Sequence, residues 1–198
     1  MEKKDQVIII NGSPRRSKNC NKIIKNIIEK FESDNIEYEL LNLYDMDIDY
    51  CNACSFCEKK GYCRIKDDMT PIYKDFDNSK GTIVVSPTYF RSVSTKVKTL
   101  VDRTQAIYAS KYIFKKPSID TKKDRRGMYI AVGGEPYHEI QFLGGQLVMD
   151  IFFKCINTKL AYNIYMSNSD EVLYEENEEF RNKLDNAIEN YIKEIKSI

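Results

Sequence analysis

The stretch CNACSFCEKKGYC, residues 51–63, gathers four of the chain's six cysteines: Cys51, Cys54, Cys57 and Cys63. Thiols this close together hold a disulfide, a metal ion or an iron–sulfur cluster. In a reducing compartment, closely spaced cysteines bind metal or do redox chemistry more often than they form structural disulfides. A structural zinc site usually closes a tetrahedron with two C-x2-C knuckles that lie roughly a dozen or more residues apart. The spacing here is instead C-x2-C-x2-C-x5-C. A tight run of this kind wraps a loop around a larger object, so that each thiolate can reach a different iron, as in bacterial ferredoxins. Gly61 gives the loop the freedom to bring Cys63 round as the fourth ligand. The spacing therefore favours a [4Fe–4S] cluster. A zinc ion, unliganded thiols and a disulfide-cycling pair are the alternatives.

A second candidate lies at the first loop. VIII (7–10) reads as a strand buried on both faces, and NGSPRRSKNCN follows it. A helix N-terminus at a strand's carboxyl end offers unpaired N–H groups and a positive dipole end to an anion. Ser13, Ser17 and Asn19 supply short hydrogen-bonding side chains, and Arg15 or Arg16 adds charge. The loop is neither GxxxxGK nor GxGxxG. The plainer alternative is a polar turn that only caps a helix. Two other strand ends add surfaces. SPTYFRSVS (86–94) carries a stiff Pro87 and the flat faces of Tyr89 and Phe90, and GGEPYHE opens with Gly133 and Gly134, where backbone can approach a ligand closely. A planar ring system carrying one phosphate fits this combination.

The elements that must position these residues alternate. Ile23, Ile24, Ile27, Ile28 and Phe31 mark one face of a helix over about residues 21–33. Strands are expected at 38–43, 81–87, 127–134 and 159–166. Ser94 is a candidate cap for a helix with Val97, Leu100 and Val101 on its inner stripe. QLVMDIFFKCI reads as a largely buried helix, and Phe180 to Ile195 as a long amphipathic one. Five strands separated by helices predict an α/β fold with a parallel sheet covered on both faces, with right-handed crossovers. The cysteine loop after strand two and the segment 108–126 interrupt the rhythm. Nothing divides the chain, so residues 1–198 are expected to form one domain.

Composition narrows the partners. The net charge of +1 argues against nucleic acid or an anionic membrane. No apolar run is long enough to span a bilayer. The charged start MEKKDQ has no signal-peptide character, which points to the cytoplasm. Cys155 reads as core, Asp67 and Asp68 as helix caps, and the lone His138 as a surface or rim residue. Lys115, Lys116, Lys122, Lys123, Arg125 and Arg126 read as a solvated loop, with a docking patch for an acidic electron carrier or for the extra phosphate of NADPH as the alternative.

The segments NGSPRRSKNCN, SPTYFRSVSTKVKTLVDRT and GGQ (144–146) resemble the NADPH-dependent FMN reductase group of flavodoxin-like proteins. The cysteine loop, with IKDDM directly after it, resembles that group's iron–sulfur flavoprotein branch. The resemblance runs from Val7 to about Met166. It implies a flavodoxin-like three-layer sandwich with sheet order 2-1-3-4-5 and FMN at the strand ends. It further implies that Ser13, Arg15, Ser17, Asn19 and Cys20 line the phosphate, and that Ser86, Pro87, Thr88, Tyr89, Phe90 and Arg91 contact the isoalloxazine and ribityl chain. Gly133 and Gly134 would approach the other flavin edge. Cys20 stands where threonine is common, and Arg91 where glycine is common. Arg91 is therefore a candidate for stabilising an anionic reduced ring. The implied activity is electron transfer between ferredoxin or NAD(P)H, FMN and a [4Fe–4S] cluster, in a homodimer or homotetramer. The alternatives are a cluster-free NAD(P)H-dependent FMN or quinone reductase, and a non-enzymatic flavin- or zinc-binding regulator.

Overall fold

A computed structural model describes residues 5–198, so the start of MEKKDQ lies outside the described residues. Five parallel strands form one sheet in the order β2-β1-β3-β4-β5. They are β1 (Val7–Asn11), β2 (Tyr38–Asn42), β3 (Gly81–Pro87), β4 (Arg126–Val132) and β5 (Lys159–Met166). The three central strands are the continuous apolar runs of the sequence, and their interiors are buried on both faces. The edge strands β2 and β5 are only half-buried along most of their length.

Alternate residues feed two cores. Val7, Ile9, Ile83, Val85, Met128 and Ile130 face α1 (Asn19–Ser33) and α7 (Glu178–Ser197). Ile8, Ile10, Val84, Tyr129 and Ala131 face the opposite layer. That layer contains α3 (Met69–Asn78), α4 (Thr95–Arg103), α5 (Gln105–Tyr112) and α6 (Leu143–Cys155). A short helix, α2 (Phe56–Lys60), lies inside the cysteine loop. The chain thus has the expected three-layer arrangement.

Three expectations change. Helix α6 is not largely buried: Met149, Phe152 and Phe153 face the core, but Leu143, Leu147 and Ile151 are 45, 60 and 62% exposed. Gln146, Asp150 and Lys154 mark the helix's outer side at i, i+4, i+8 spacing, and the exposed Leu143, Leu147 and Ile151 lie beside that polar row. The basic stretch 115–126 is not simply solvated. The Arg125 side chain is fully buried, donating to the Asp77 carboxylate and carbonyl and to the Asp120 carbonyl, while Arg126 pairs with Glu194. Lys115, Lys116 and Lys122 remain exposed. Ser94 occupies the N-cap position of α4, yet its side chain makes no capping bond. Its backbone N–H donates instead to the Ser86 hydroxyl, at 3.0 Å.

Candidate functional site

The loop after β1 is shaped by Asn11, a residue the motif reading passed over. Its amide donates to Asn42 at 2.9 Å and to Asn21 at 3.1 Å, and its carbonyl oxygen accepts from the Ser13 N–H at 3.0 Å. The Ser13 hydroxyl then accepts from the Arg15 N–H, and Asn21 holds the Arg15 carbonyl. This polar network fixes the turn before α1 begins. Ser13, Arg15, Lys18, Asn19 and Cys20 line a cavity of about 320 Å³ at the start of α1. Burial pushes the Cys20 thiol up to about 12, despite a hydrogen bond with Ser13, so it stays protonated at neutral pH. Asn19 is partly committed: its side-chain oxygen accepts from the Tyr174 N–H. Ser17 is exposed and is not among the residues lining this cavity. Arg16 pairs with Asp45 on a different side of the loop.

A second hollow of about 560 Å³ continues from the first, sharing Thr88, Tyr89, Gly134 and Asp170 with it. Phe90, Arg91, Gly133, Glu135 and Gln141 complete much of its wall. The turn 89–92 projects there. Tyr89 and Ser92 exchange backbone hydrogen bonds at 2.9 and 3.0 Å, and both central residues are left-handed, Phe90 at φ 48° and Arg91 at φ 61°. Two-residue turns of this hand favour Asn and Gly, because other side chains crowd the backbone there. Phe90 at the tip is fully exposed.

The Gly144–Gly145 pair holds this turn from below. The Gly145 N–H donates to the Arg91 carbonyl at 3.1 Å, and a Cβ on Gly144 would fall 2.5 Å from that oxygen. The glycine pair after β4 has a similar reason to be glycine. A Cβ on Gly134 would meet the Asp170 carboxylate at 2.2 Å, and one on Gly133 would meet the Gln141 amide at 2.7 Å. Asp170 is a second residue that motif reading missed; backbone hydrogen bonds from residues 168–170 to 133–135 bring it to the cleft. Ser86 does not reach the hollow: it is fully buried and braces Ser94. Pro87 and Thr88 do line the joined cleft.

The joined cleft fits a phosphate-bearing planar cofactor on two counts. Arg15 and Lys18 sit at its loop end, next to the N-terminus of α1. Thr88 Oγ1 and Gln141 Oε1 line it, buried and without a protein partner. Buried polar atoms are nearly always paired, so atoms of this kind call for a ligand or water. His138 sits at the rim, 3.2 Å from Glu135.

All four cysteines of the 51–63 loop line one cavity of about 330 Å³, together with Asp102, Arg103, Gln105 and Ala106. Cys54 is exposed and the other three are half-buried. Burial pushes the Cys57 thiol up, and Cys51 and Cys63 lie close enough to add to the shift. The loop carries Ala53 and Ser55 in left-handed conformation on either side of Cys54, and Gly61 at φ 77°. Among the described residues no three Cys, His, Asp or Glu side chains converge on the point that one metal ion would occupy. The four thiols share one cavity without closing around a single centre. Cys155 lies apart, buried with its thiol on the Thr104 carbonyl, as expected of a core residue. Asp67 caps α3 through the Met69 N–H. Asp68 does not: its carboxylate accepts from Asp47 instead.

The two sites stand at opposite ends of α4. Thr95, its first residue, lines the joined cleft, and Arg103, its last, lines the cysteine cavity. A helix of this length spans about 13 Å.

The family model described as NADPH-dependent FMN reductase matches residues 6–142. An iron–sulfur flavoprotein of Archaeoglobus fulgidus is 33% identical over 129 residues, 65% of this chain and 62% of that protein. One from Methanocaldococcus jannaschii is 34% identical over 102 residues, covering 52% of this chain and 53% of the relative. One from Methanosarcina thermophila is 30% identical over 125 residues, 63% and 61% of the two chains. The chain therefore spans less than two thirds of the length of these relatives. Among solved structures, an FMN-dependent NADH-azoreductase from Bacillus anthracis in complex with FMN superposes with a TM-score of 0.70 at 14% identity, over 95% of this chain and all of that one. An NAD(P)H:quinone oxidoreductase from Methanothermobacter marburgensis gives 0.70 at 12% identity, over 94% of each chain. At such identities these two likenesses bear on the fold alone.

Proposed function

Because the chain belongs to the NADPH-dependent FMN reductase family, we propose that it is an FMN-dependent oxidoreductase that passes electrons between a reduced carrier, FMN and a [4Fe–4S] cluster. The observation that carries the reading is the pair of sites on α4: a phosphate-and-ring cleft at one end and four thiols around one cavity at the other. Residues 1–198 act as one flavin-binding domain in this reading. When bound, the flavin supplies two-electron or one-electron chemistry and the cluster supplies one-electron chemistry only, so a protein holding both can divide an electron pair.

The residues have distinct tasks. Ser13, Arg15, Lys18 and Cys20 hold the phosphate with neutral and charged donors around the α1 N-terminus. Tyr89 and Phe90 wall the ring, and Thr88 hydrogen-bonds the ribityl chain or ring edge through its otherwise unpartnered hydroxyl. Gly133 and Gly134 bring backbone to the other edge. Cys51, Cys54, Cys57 and Cys63 each take one iron. The donor is ferredoxin or NAD(P)H, in the cytoplasm; no helix among the described residues is long and apolar enough to cross a membrane. The exposed Leu143, Leu147 and Ile151 of α6 support a homodimer or homotetramer. Pairing of subunits would bring one chain's cysteine cavity to another chain's flavin.

Iron, acid-labile sulfide and FMN per chain, measured in protein purified without oxygen, test the proposal. About four irons and four sulfides with one FMN are expected. FMN without iron would leave a cluster-free NAD(P)H-dependent FMN or quinone reductase, a reading favoured by a cleft that is complete without the cysteine loop. Stoichiometric zinc without turnover would instead indicate a regulator.

A further inference from the structure

Arg103 ends α4 with its side chain completely buried. One face of its guanidinium is fully used. Nη1 donates to the Asp49 carbonyl at 2.8 Å and to Asp67, and Nη2 donates to Asp67 at 3.0 Å. Asp67 in turn accepts from the Asp49 N–H at 3.0 Å. Asp49 stands just before Cys51 and Asp67 just after Cys63, so this three-residue clasp closes the base of the cysteine loop. The Tyr73 hydroxyl donates to the Arg103 carbonyl at 2.9 Å.

The remaining nitrogen, Nε, has no protein partner. Arg103 Nε is buried and unpaired, and Arg103 lines the cavity that holds the four cysteines. An unpaired buried cationic donor is costly, because it loses water without replacement. The orphan alone decides nothing, since Arg125 Nε is equally buried and unpaired. The neighbours differ: Arg125 lines a lysine-rich hollow near the start of β5 that contains no cysteine, whereas Arg103 lines the cavity that holds all four thiols of the 51–63 loop.

We propose that Arg103 is a positioning residue for the [4Fe–4S] site, clasping the loop through Asp67 and Asp49 and donating its Nε–H to an anionic sulfur of the cluster or of Cys63. The inference rests on the cluster reading above. A donor to the sulfurs favours the more negative, reduced state and so raises the reduction potential. Such outer-shell partners also strengthen metal binding, by about 10–100-fold.

The test compares anaerobic wild type, Arg103→Lys and Arg125→Lys. Lysine keeps a cation for Asp67 but cannot hold the clasp and offer Nε at once. Each protein is assayed for FMN and iron content, for the rate of iron loss to a chelator, and for cluster potential by redox titration. Expected for Arg103→Lys are normal FMN, iron loss at least about tenfold faster and a more negative cluster potential. Arg125→Lys should match wild type in both. Wild-type behaviour of Arg103→Lys, or equal shifts in Arg125→Lys, overturns the assignment while leaving the cluster reading intact. A wild type that takes up no iron overturns the cluster reading itself. Should Arg103→Lys fail to fold, pulsed EPR of the reduced cluster with and without 15N-arginine decides, in an Arg64→Lys background because the exposed Arg64 lines the same cavity: a label-dependent nitrogen coupling is expected, and its absence overturns the proposal.

Discussion

The flavin cleft and the cysteine cavity share one helix but are built by different means. The cleft is made of strand ends. β3 and β4 stop in register and β1 two residues earlier, and the loops that leave them are tied down by backbone contacts such as Gly145 to Arg91. The cavity hangs on a loop after an edge strand, and its base is closed by the Arg103 side chain of α4 and the Asp67 side chain just before α3. Backbone hydrogen bonds of the sheet therefore hold the first site, and one buried ion pair holds the second. The first should tolerate single side-chain losses with graded effects; the second should fail abruptly.

The sharpest way to separate the two is Cys57→Ser. We expect iron to be lost almost completely while FMN stays near one per chain, read by iron and flavin assay of anaerobic protein. Loss of both cofactors together would mean that the sites are not structurally independent.

Asp67→Ala attacks the clasp itself. It leaves Arg103 buried without its counter-charge, and breaking such a pair costs about 3–5 kcal/mol. Chemical denaturation should show this loss, far above the roughly 0–1 kcal/mol of an exposed pair such as Lys98–Asp102. The pair also sets a pH window. Burial raises Asp67, but the Arg103 hydrogen bond and the Asp49 and Met69 N–H groups outweigh it and hold the carboxyl below its ordinary value. A depressed folded-state pKa contributes stability that is complete above the unfolded value of about 3.9 and is lost as pH falls through the folded one. Wild type should thus lose more stability than Asp67→Ala does on acidification below about pH 4. Parallel pH profiles would sink this account.

Much of this contrast was written in the sequence, and the missing part has a physical cause. The central strands were legible as continuous apolar runs, alternation implied a parallel sheet, and the sheet order followed from the family resemblance alone. Thr88, Tyr89, Phe90 and Arg91 were legible because a motif places them within one turn. The clasp was not, because Asp67 and Arg103 lie 36 positions apart and only the α3–α4 layer brings them together. Arg125 and Asp77, 48 apart, were misread for the same reason: a run of charge shows no partner. Asp170 reaches the cleft because the backbone after β5 pairs with residues 133–135, a long-range pairing that no local motif announces. The outer face of α6 was marked by Gln146, Asp150 and Lys154, but the apolar residues beside that row hid its width. Ser17 and Ser86, assigned to the flavin by resemblance, lie on the surface and beneath the turn respectively.

In the cleft, Arg15→Ala should weaken FMN binding by about tenfold, the lower end for loss of a charge-assisted hydrogen bond at an exposed position. Fluorescence titration of apoprotein checks it, and the gap between variant and wild type should narrow in high salt. An unchanged dissociation constant would move the phosphate away from Arg15.

Arg91→Gly has the smallest expected effect on stability and tests the cleft most finely. Relieving one left-handed non-glycine residue gains about 1–2 kcal/mol, and glycine's extra freedom in the unfolded chain offsets about 0.5–1 kcal/mol. The net change is a gain of about 1 kcal/mol or less, a shift of a few degrees in Tm. If Arg91 does nothing but form the turn, that is all the variant will show. If its guanidinium faces a developing negative charge on the reduced ring, the flavin potential should fall even as the fold gains stability, because a fixed positive charge favours the anionic form. Stability and potential moving in opposite directions would show that the strained turn is retained for electrostatics; a stabilised protein with an unchanged potential would reduce Arg91 to a residue the turn merely tolerates.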